Sequence, residues 1–207
     1  MSTAYEEIGP YASILGTFFY SDPVSDKAAA AFAWLEDEAS SQEWLYGRPD
    51  AAGELDCMRA AFRSRGADGL HKAYNRLFVG PHRLPAPPWG SVYTDPEGVI
   101  FGNKTLAVRE WLRRNHVTLH LEEYEPEDHF GIMLMMVAWA AVNDVPENEI
   151  DELLEDHLLT WSRRFLDRFI EGADDDFYSS LGRLARLTLD DWTMRFDLHP
   201  EPVRLKR

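Results

Sequence analysis

Apolar side chains recur every three or four residues through most of this chain, and that spacing constrains its fold more than any other feature. Between residues 70 and 78, for example, the apolar residues fall on one face of a helix. The same spacing predicts helices near residues 8–19, 28–38, 55–66, 106–112, 126–142, 149–157, 161–170 and 177–196. No series of strand-like segments and no internal repeat accompanies them. We therefore predict an all-α fold of about eight or nine irregularly packed helices.

The length and composition indicate one domain. With 207 residues, 45% of them apolar, the chain is long enough to bury a large core and too apolar for intrinsic disorder. The segment 199–207 contains two prolines and four basic residues, counting His199. We predict a helical domain over residues 1–198 and a basic C-terminal tail over residues 199–207.

The charge balance excludes several kinds of partner. The net charge of −15 repels nucleic-acid phosphates and anionic lipid and attracts cationic partners, although solubility alone also explains it. From the charge we predict no nucleic-acid partner. We also predict no stable membrane insertion, because the longest apolar run, Phe130–Val142, is too short to cross a bilayer. The N-terminal residues lack the basic segment of a secretory signal, so we expect a cytoplasmic location.

The sequence offers little for metal or cofactor binding. Cys57 is the only cysteine, which excludes an internal disulfide and a zinc site built from several thiolates. His116 and His120 lie four residues apart and Glu122 follows, but without a His-Glu-x-x-His motif a solvated histidine pair explains them better. Glycine-rich phosphate-binding motifs are also missing. We predict no metal site and no cofactor.

A proline-rich segment from Arg76 to Tyr93 reads RLFVGPHRLPAPPWGSVY. It has too many prolines for a helix or a central strand, and it is too apolar for a solvated linker. Two interpretations stay open. The segment is either a structural strap in which Trp89 fills the core, or a stiff loop that presents an apolar surface to a partner.

A second unusual segment, EYEPEDHF, covers residues 123–130. Pro126 suits the first turn of a helix, where the helix dipole would favour Glu127 and Asp128. Such an anionic neighbourhood should favour the charged form of His129. Helix capping alone explains the acidic residues but does not explain the histidine.

An enzyme that uses Asp128 and His129 is an alternative of a different class. Adjacent residues on a helix point about 100° apart, so Asp128 cannot orient His129 as in a catalytic triad. The G-x-S-x-G nucleophile motif is missing, and nothing near Cys57 indicates an activated thiol. We therefore predict that the protein is not an enzyme.

Four segments, in the same order, resemble the TorD/DmsD family, and within it the DmsD proteins. They read YNRLFVGPHRLPAPPWGSVY, GVIFGNKTLAVREWLRRN, EPEDHFGIMLMMVAWAA and HLLTWSRRFLDRFIEGADDDFYSSLGRLARLTL. These proteins are cytoplasmic chaperones of molybdenum-containing oxidoreductases that the twin-arginine (Tat) system exports. The aromatic-x-x-Leu-Phe motif and the E-P-x-D-H motif are specific when found together. The resemblance covers nearly the whole chain and implies a TorD-like helical fold.

The resemblance also implies a set of leader-binding residues. Matched motif by motif, they are Tyr74, Leu77, Phe78, Pro87, Trp89, Gly90, Gly102, Pro126, Asp128 and His129. Two positions depart from the pattern, since Tyr74 stands where DmsD proteins often have Trp and His82 stands where another aromatic residue often occurs. These departures concern the identity of the client.

A twin-arginine leader carries two arginines followed by an apolar run, so its receptor needs carboxylates beside an apolar groove. We predict that the carboxylates are those of Glu125, Glu127 and Asp128. The groove is predicted to be lined by Leu77, Phe78, Trp89 and Tyr93. Prolines in the loop would hold this groove open before the peptide binds.

The function implied by the resemblance is that of a system-specific chaperone. It would bind the leader of a molybdenum-containing catalytic subunit of the dimethyl sulfoxide reductase type and delay export until folding and cofactor insertion are complete. The Tat translocase is a second implied partner. Weak guanine-nucleotide binding is associated with the family, although this chain has no visible phosphate loop. Within the family, the alternative is assembly of another redox subunit, such as a nitrate reductase, without leader recognition.

Overall fold

The structure, a computed structural model, describes residues 5–121 and 125–202. Its α-helices are α1 (Gly9–Tyr20), α2 (Ala29–Glu36), α3 (Ser40–Glu43), α4 (Asp50–Tyr74), α5 (Gly90–Thr94), α6 (Asn103–Arg114), α7 (Phe130–Val142), α8 (Glu147–Glu152), α9 (Thr160–Gly172) and α10 (Asp176–Arg195). A 3-10 turn, Glu6–Ile8, precedes α1, and wide π-type turns follow α4 at Asn75–Val79 and α8 at Leu153–Leu159. Across these two ranges no β-strand forms apart from one isolated bridge, so the predicted all-α class is confirmed.

Helix α4 covers two helical segments that the sequence predicts as separate helices. They are separated at Gly66, whose backbone is non-helical, with φ of 66° and ψ of 179°. Only glycine adopts this backbone conformation readily, because a Cβ atom would clash with the adjacent peptide groups. The predicted stop near Gly66 therefore falls where the helical backbone is interrupted, and the apolar stripe of residues 70–78 belongs to the segment after it.

Helix α7 begins later than predicted. Its first residue is Phe130 and its N-cap is His129, which has an extended backbone with φ of −67° and ψ of 131°. The prediction that Pro126 occupies the first helical turn is wrong, since residues 126–128 lie in the turn before the helix. Tertiary hydrogen bonds of Asp128, described below, hold that turn and outweigh the local preference of proline for a helix start.

The proline-rich segment contains a short helix that we did not predict. Helix α5 starts at Gly90, directly after Pro88 and Trp89, where no further proline interferes with helical hydrogen bonding. Trp89 is its N-cap and has an extended backbone, as a residue in that position normally does. The stiff part of the segment therefore ends where α5 begins.

The chain divides into two compact units, and each is described by itself. Among the described residues, unit 2 comprises residues 17–87 and 165–197. Helices α4 and α10 pack together in it, and its core is rich in aromatic rings. Phe32 stacks on Phe62 with ring centroids 4.4 Å apart, and Phe18 contacts Phe32 edge-on at 5.2 Å. Aromatic pairs of this kind stabilise the unit beyond the area that they bury.

Unit 1 comprises the described residues among 5–16, 88–164 and 198–202, and it contains α5 to α8. Trp161 lies at the centre of its core. Tyr93 stacks on the Trp161 ring at 5.7 Å, and Phe130 meets the same ring edge-on at 5.9 Å. The Trp111 indole N–H donates to the Glu149 carbonyl at 2.9 Å, which satisfies its one polar atom inside the core.

The predictions about domain boundaries stay predictions. The basic tail falls mostly on residues 203–207, which lie outside the described residues. In the part of the chain that the structure covers, no helix combines the length and the apolar character needed to cross a membrane.

Candidate functional site

Asp128 is the polar centre of the E-P-x-D-H segment in unit 1. Its side chain is completely buried. One carboxylate oxygen accepts from the Ser91 backbone N–H at 2.6 Å, and the other accepts from the Thr105 hydroxyl at 2.8 Å. Ser91 and Thr105 also hydrogen-bond to each other at 3.0 Å. Asp128 therefore ties the start of α5, the start of α6 and the turn before α7 to one point.

Backbone pairing fixes the same region. Trp89 and His129 form an isolated antiparallel bridge. The Phe130 N–H donates to the Pro88 carbonyl at 2.7 Å, and the Gly90 N–H donates to the Asp128 carbonyl at 3.0 Å. The Pro-Trp-Gly segment and the E-P-x-D-H segment, which the resemblance assigns to one site, are thus adjacent in the structure.

His129 is a helix cap and is held neutral. Its Nδ1 accepts from the Gly131 N–H at 3.0 Å, which requires an unprotonated Nδ1 atom at the start of α7. Burial lowers the pKa of His129 to about 3. The prediction that nearby carboxylates favour its charged form is wrong, because removal of the ring from water disfavours the cation more than distant anions stabilise it.

The two glycines of the predicted site make room for neighbouring side chains. A Cβ atom on Gly90 would lie 2.7 Å from Nε1 and 2.8 Å from Cε2 of Trp161. A Cβ atom on Gly102 would lie 2.9 Å from Oδ2 of Asp95 and 3.2 Å from Cβ of Ser91. Both positions are buried, so these glycines determine how closely α5 approaches its neighbours.

Trp89 and Glu125 form a side-chain hydrogen bond at the partly exposed edge of the site. The indole N–H of Trp89 donates to Oε1 of Glu125 at 2.7 Å, and both residues are half-buried. The Trp89 ring also meets the His129 ring edge-on at 6.2 Å. The contact fixes the direction of an indole and of a carboxylate that both remain partly accessible.

Glu127 forms a second side-chain contact at this edge, with Arg109, which the sequence analysis did not include in the site. Nε of Arg109 lies 2.8 Å from both carboxylate oxygens of Glu127. The Arg109 guanidinium also lies over the Phe101 ring, 5.7 Å from its centroid. The hydrogen bond to Glu127 raises the pKa of Arg109 above its ordinary value.

Phe101, Arg109, Glu125 and Glu127 border an open groove of about 850 Å³ in unit 1. Its apolar surface comes from Leu112, Val117, Leu119 and Leu121, and its polar edge includes Arg109, Glu125 and Glu127, with Phe101 beside them. The sequence analysis did not predict that residues of α6 and of the segment after it line a groove. The signal that could have found it is the spacing of Thr105, Arg109 and Leu112, which places them on one face of α6.

The predicted apolar lining is mostly not on the surface. Tyr93 is buried against Trp161, and Leu77 and Phe78 are buried in unit 2. The expectation that these three side chains present an exposed apolar surface is wrong, because core packing uses their apolar area. Of the predicted lining, only Trp89 is partly accessible.

The remaining predicted residues belong to unit 2 and are described there alone. Phe78 packs against Tyr74 at 5.1 Å and against Phe169 at 5.5 Å. The Tyr74 hydroxyl donates to the Tyr20 carbonyl at 2.6 Å, and Pro87 is half-buried. The aromatic-x-x-Leu-Phe motif therefore builds core structure in its unit, and its part in leader binding stays a prediction.

Metal binding has no geometric support among the residues that can be placed. No group of three His, Cys, Asp or Glu side chains within residues 5–121 and 125–202 converges as metal ligands would. His116 and His120 are exposed, and Glu122 lies outside the described residues.

Comparison with known proteins identifies the family. The model of the nitrate reductase delta subunit family matches residues 46–167. The Tat proofreading chaperone DmsD of Salmonella typhimurium is 44% identical over 195 residues, which cover 94% of this chain and 92% of that protein. The chaperone protein TorD of Vibrio cholerae is 32% identical over 164 residues, covering 73% and 70% of the two chains.

A solved structure gives the same fold. A crystal structure from Archaeoglobus fulgidus, assigned to a redox enzyme maturation protein, superposes with a TM-score of 0.56. The match covers 92% of this chain and 96% of the other at 20% identity, so this likeness concerns the fold alone. From the family match and the extent of identity to its relatives, the chain belongs to the nitrate reductase delta subunit family and, within it, to the TorD/DmsD family.

Proposed function

We propose that this protein is a non-enzymatic, cytoplasmic chaperone that binds the twin-arginine leader of a molybdenum-containing oxidoreductase subunit. It delays export of that subunit until folding and cofactor insertion are complete. The relatives named as Tat proofreading chaperones support the leader as the ligand. A client of the dimethyl sulfoxide reductase type, and contact with the Tat translocase, are the finer parts of this proposal.

The groove in unit 1 is the observation that carries the proposal. It combines an apolar surface with the carboxylates of Glu125 and Glu127, and a twin-arginine leader combines an apolar run with two guanidinium groups. A guanidinium presents parallel N–H donors that match both oxygens of a carboxylate, which an ammonium group does not. The groove therefore favours arginine over lysine in the peptide.

The magnitudes fit a reversible complex. Burial of about 500 Å² of apolar leader surface yields about 12 kcal/mol before costs. Ordering of the peptide and loss of its free motion remove several kcal/mol, so we expect a Kd between micromolar and tens of nanomolar. The ionic part of the affinity should weaken as salt increases, whereas the apolar part should change little.

Buried residues of the predicted site would act indirectly. Asp128, His129, Gly90 and Gly102 hold the elements that position the groove, and their contacts leave them little surface for a peptide. We assign them the role of positioning residues. Tyr74, Leu77, Phe78, Pro87 and Pro126 keep their proposed roles in leader recognition on the strength of the family motifs.

The geometry of Asp128 and His129 is unsuited to acid–base catalysis. Both side chains are buried, the Asp128 oxygens each accept a hydrogen bond, and Nδ1 of His129 is engaged by the Gly131 N–H. Neither side chain is in the lining of the groove of about 850 Å³, where a substrate would have room to bind. This supports the proposal that the protein is not an enzyme.

A second candidate function is assembly of a nitrate reductase without leader recognition. The description of the matching family, which names the delta subunit of that enzyme, favours it. Such an activity would depend on contacts with the folded part of the client, so a leader peptide alone would not bind.

The test is titration of the purified protein with two leader peptides by calorimetry, one native and one with both arginines replaced by lysine. We expect the lysine peptide to bind about tenfold more weakly, because the paired N–H donors are lost. Glu127→Gln should weaken binding of the native peptide to a similar extent. Equal affinity for the two peptides, or no binding of either, would contradict leader recognition.

The matched control is Glu152→Gln. Glu152 also lies in unit 1 and pairs with an arginine, Arg114, at 2.6 Å, and neither of these two residues borders the groove. Its replacement removes the same charge from the same unit. We expect Glu152→Gln to leave the Kd of the native peptide within about twofold of the wild-type value.

A further inference from the structure

Two arginines of the protein itself, Arg109 and Arg113, border the groove, and Arg109 pairs with a carboxylate at its edge. The Arg109 guanidinium lies between the Glu127 carboxylate, at 2.8 Å from Nε, and the face of the Phe101 ring, at 5.7 Å. A carboxylate on one side and an aromatic face on the other is the environment that proteins use to bind an arginine from a partner. Arg109 is nevertheless 46% exposed at its side chain, so it lies at the mouth of the groove rather than in the core.

The backbone at Phe101 presents this aromatic face at a cost. Phe101 has φ of 63°, in the left-handed region that bulky residues rarely adopt. The ring is 44% exposed, so burial of its apolar surface does not repay that conformation. Strained residues of this kind concentrate where a binding surface requires a particular side-chain direction.

The pairing of Arg109 with Glu127 is weaker than the best pairing available. Both short contacts come from the single Nε–H, which is shared between the two oxygens. The terminal amino groups, which a bidentate pair would use, take no part in it. An arginine that approaches from outside the groove can place two parallel N–H donors on the same carboxylate.

We propose that Arg109 is an internal substitute for a leader arginine, which the leader must displace from Glu127 and Phe101 in order to bind. This inference rests on the proposed leader-binding function and names the specificity-determining contacts of the same groove. A peptide that offers only lysines cannot reproduce both the paired hydrogen bonds and the flat contact with the ring, so it fails to displace Arg109. Every ligand that must displace Arg109 loses the same factor in affinity, so the substitute keeps weakly binding peptides from occupying the groove.

The predicted effect on affinity follows from the population of the open groove. An exposed ion pair and a cation–π contact together shift such an equilibrium several-fold. In the closed form Arg109 occupies Glu127, and in the open form it does not; the apparent Kd rises by one plus the ratio of the closed to the open form. Removal of the substitute should therefore tighten binding of the native leader peptide by about fivefold, which corresponds to about 1 kcal/mol.

The experiment compares Arg109→Gln with Arg114→Gln. Both arginines lie on α6, with similar side-chain exposures of 46% and 41%, and both pair with glutamate, Arg114 with Glu149 and Glu152. Arg114 does not border the groove. We expect Arg109→Gln to lower the Kd about fivefold and Arg114→Gln to change it less than twofold. Equal effects of the two variants would overturn the proposal, since they would reflect only the loss of one positive charge.

A double variant tests the mechanism. If Arg109 acts by occupying Glu127, the tightening caused by Arg109→Gln should vanish in a Glu127→Gln background. An undiminished gain in that background would show that Arg109 acts through something other than this carboxylate.

A direct observation in the wild-type protein avoids substitution at the site. The Nε–H resonances of Arg109 and Arg114 can be followed by NMR during titration, because both groups donate to glutamate oxygens in the free protein. The Arg109 signal should shift on addition of the native peptide, and the Arg114 signal should stay unchanged. An unchanged Arg109 signal at saturation would overturn the displacement.

These outcomes separate the two proposals. The wild-type protein could bind the native peptide more tightly than the lysine peptide while Arg109→Gln has no specific effect. In that case the proposal that Arg109 is an internal substitute is wrong and leader recognition stands. If no peptide binds the wild-type protein or the Arg109→Gln variant, leader recognition itself is wrong.

Discussion

The Thr105 hydroxyl donates to the buried Asp128 carboxylate at 2.8 Å and joins the start of α6 to the turn before α7. The other Asp128 oxygen accepts from the Ser91 N–H at the start of α5. A single side chain thus connects three segments that are separated in sequence. The groove depends on these segments, because α6 and the turn before α7 both contribute residues to its lining, together with residues 116–119 and 121.

Asp128→Ala should destabilise the protein by about 3 kcal/mol. It removes two hydrogen bonds to a buried carboxylate and leaves the Ser91 N–H and the Thr105 hydroxyl without their acceptor. Asp128→Asn should cost less, about 1–2 kcal/mol, because its amide oxygen can still accept from Ser91 while its NH2 group can donate to Thr105. Urea unfolding followed by circular dichroism measures both values.

The relative unfolding free energies of the two Asp128 variants test this prediction. An alanine variant as stable as the asparagine variant would show that the hydrogen bonds contribute nothing net.

His129 should make the protein sensitive to mild acid. Burial lowers its pKa to about 3 in the folded state, whereas the unfolded chain has a pKa of about 6.5. The unfolded state therefore binds more protons, and the contribution of neutral His129 to stability is complete above pH 6.5 and is lost as the pH falls towards 3. Between pH 7.5 and pH 5.5 this group should cost on the order of 1 kcal/mol of unfolding free energy.

His129→Asn isolates that contribution. Asparagine is a favoured N-cap and can accept from the Gly131 N–H, but it does not titrate. The difference in unfolding free energy between wild type and variant should change by on the order of 1 kcal/mol between pH 7.5 and pH 5.5, with wild type losing more. A difference that is constant across this range would mean that His129 is not held neutral by burial.

Gly90→Ala should destabilise the protein by about 2 kcal/mol, because the new Cβ would lie 2.7 Å from Nε1 of Trp161 and would force the stacked aromatic core apart. Gly53→Ala provides the control, since a Cβ at this exposed position in α4 meets no atom within 4 Å. The control should be stabilising by about 0.5–1 kcal/mol through helix propensity. Thermal unfolding of both variants measures the contrast, and equal shifts would contradict the tight approach of α5 to Trp161.

Trp89→Phe should weaken leader binding about threefold to tenfold while changing stability by less than about 1 kcal/mol. The substitution keeps an apolar ring but removes the 2.7 Å hydrogen bond that orients Glu125 at the groove. Trp139→Phe is the control, because Trp139 is 39% exposed on α7 and does not border the groove. Fluorescence anisotropy with a labelled leader peptide compares the two, and an unchanged Kd in Trp89→Phe would remove Trp89 from the binding surface.

Much of the helical fold could be predicted from local spacing. The apolar stripe over residues 70–78 and the long apolar run after Phe130 both fall in helices, because a helix presents every third or fourth residue to the core. The interruption at Gly66 was also predicted, because a glycine between two apolar stripes can leave the helical conformation readily. Helix α5 was missed because the prolines before it dominate the local pattern.

The candidate site was predicted only in part. The two motifs correctly marked segments that meet, since Trp89 and His129 pair through their backbones. Which of their side chains remain accessible could not be predicted, because a motif does not indicate direction. Asp128 and Tyr93 are turned into the core, whereas Arg109, to which neither motif assigns a role, lies against Glu127.

The amino-acid sequence alone determined the helical class, the acidic surface and the presence of two specific motifs, because periodicity, charge and residue order are properties of the chain itself. Only the tertiary structure decided which carboxylates are structural and which border the groove. Asp128 and Glu127 are chemically similar neighbours in sequence, yet one binds backbone and hydroxyl groups in the interior and the other binds an exposed guanidinium. Their roles differ because desolvation and hydrogen-bond partners are set by elements that fold back from distant parts of the chain.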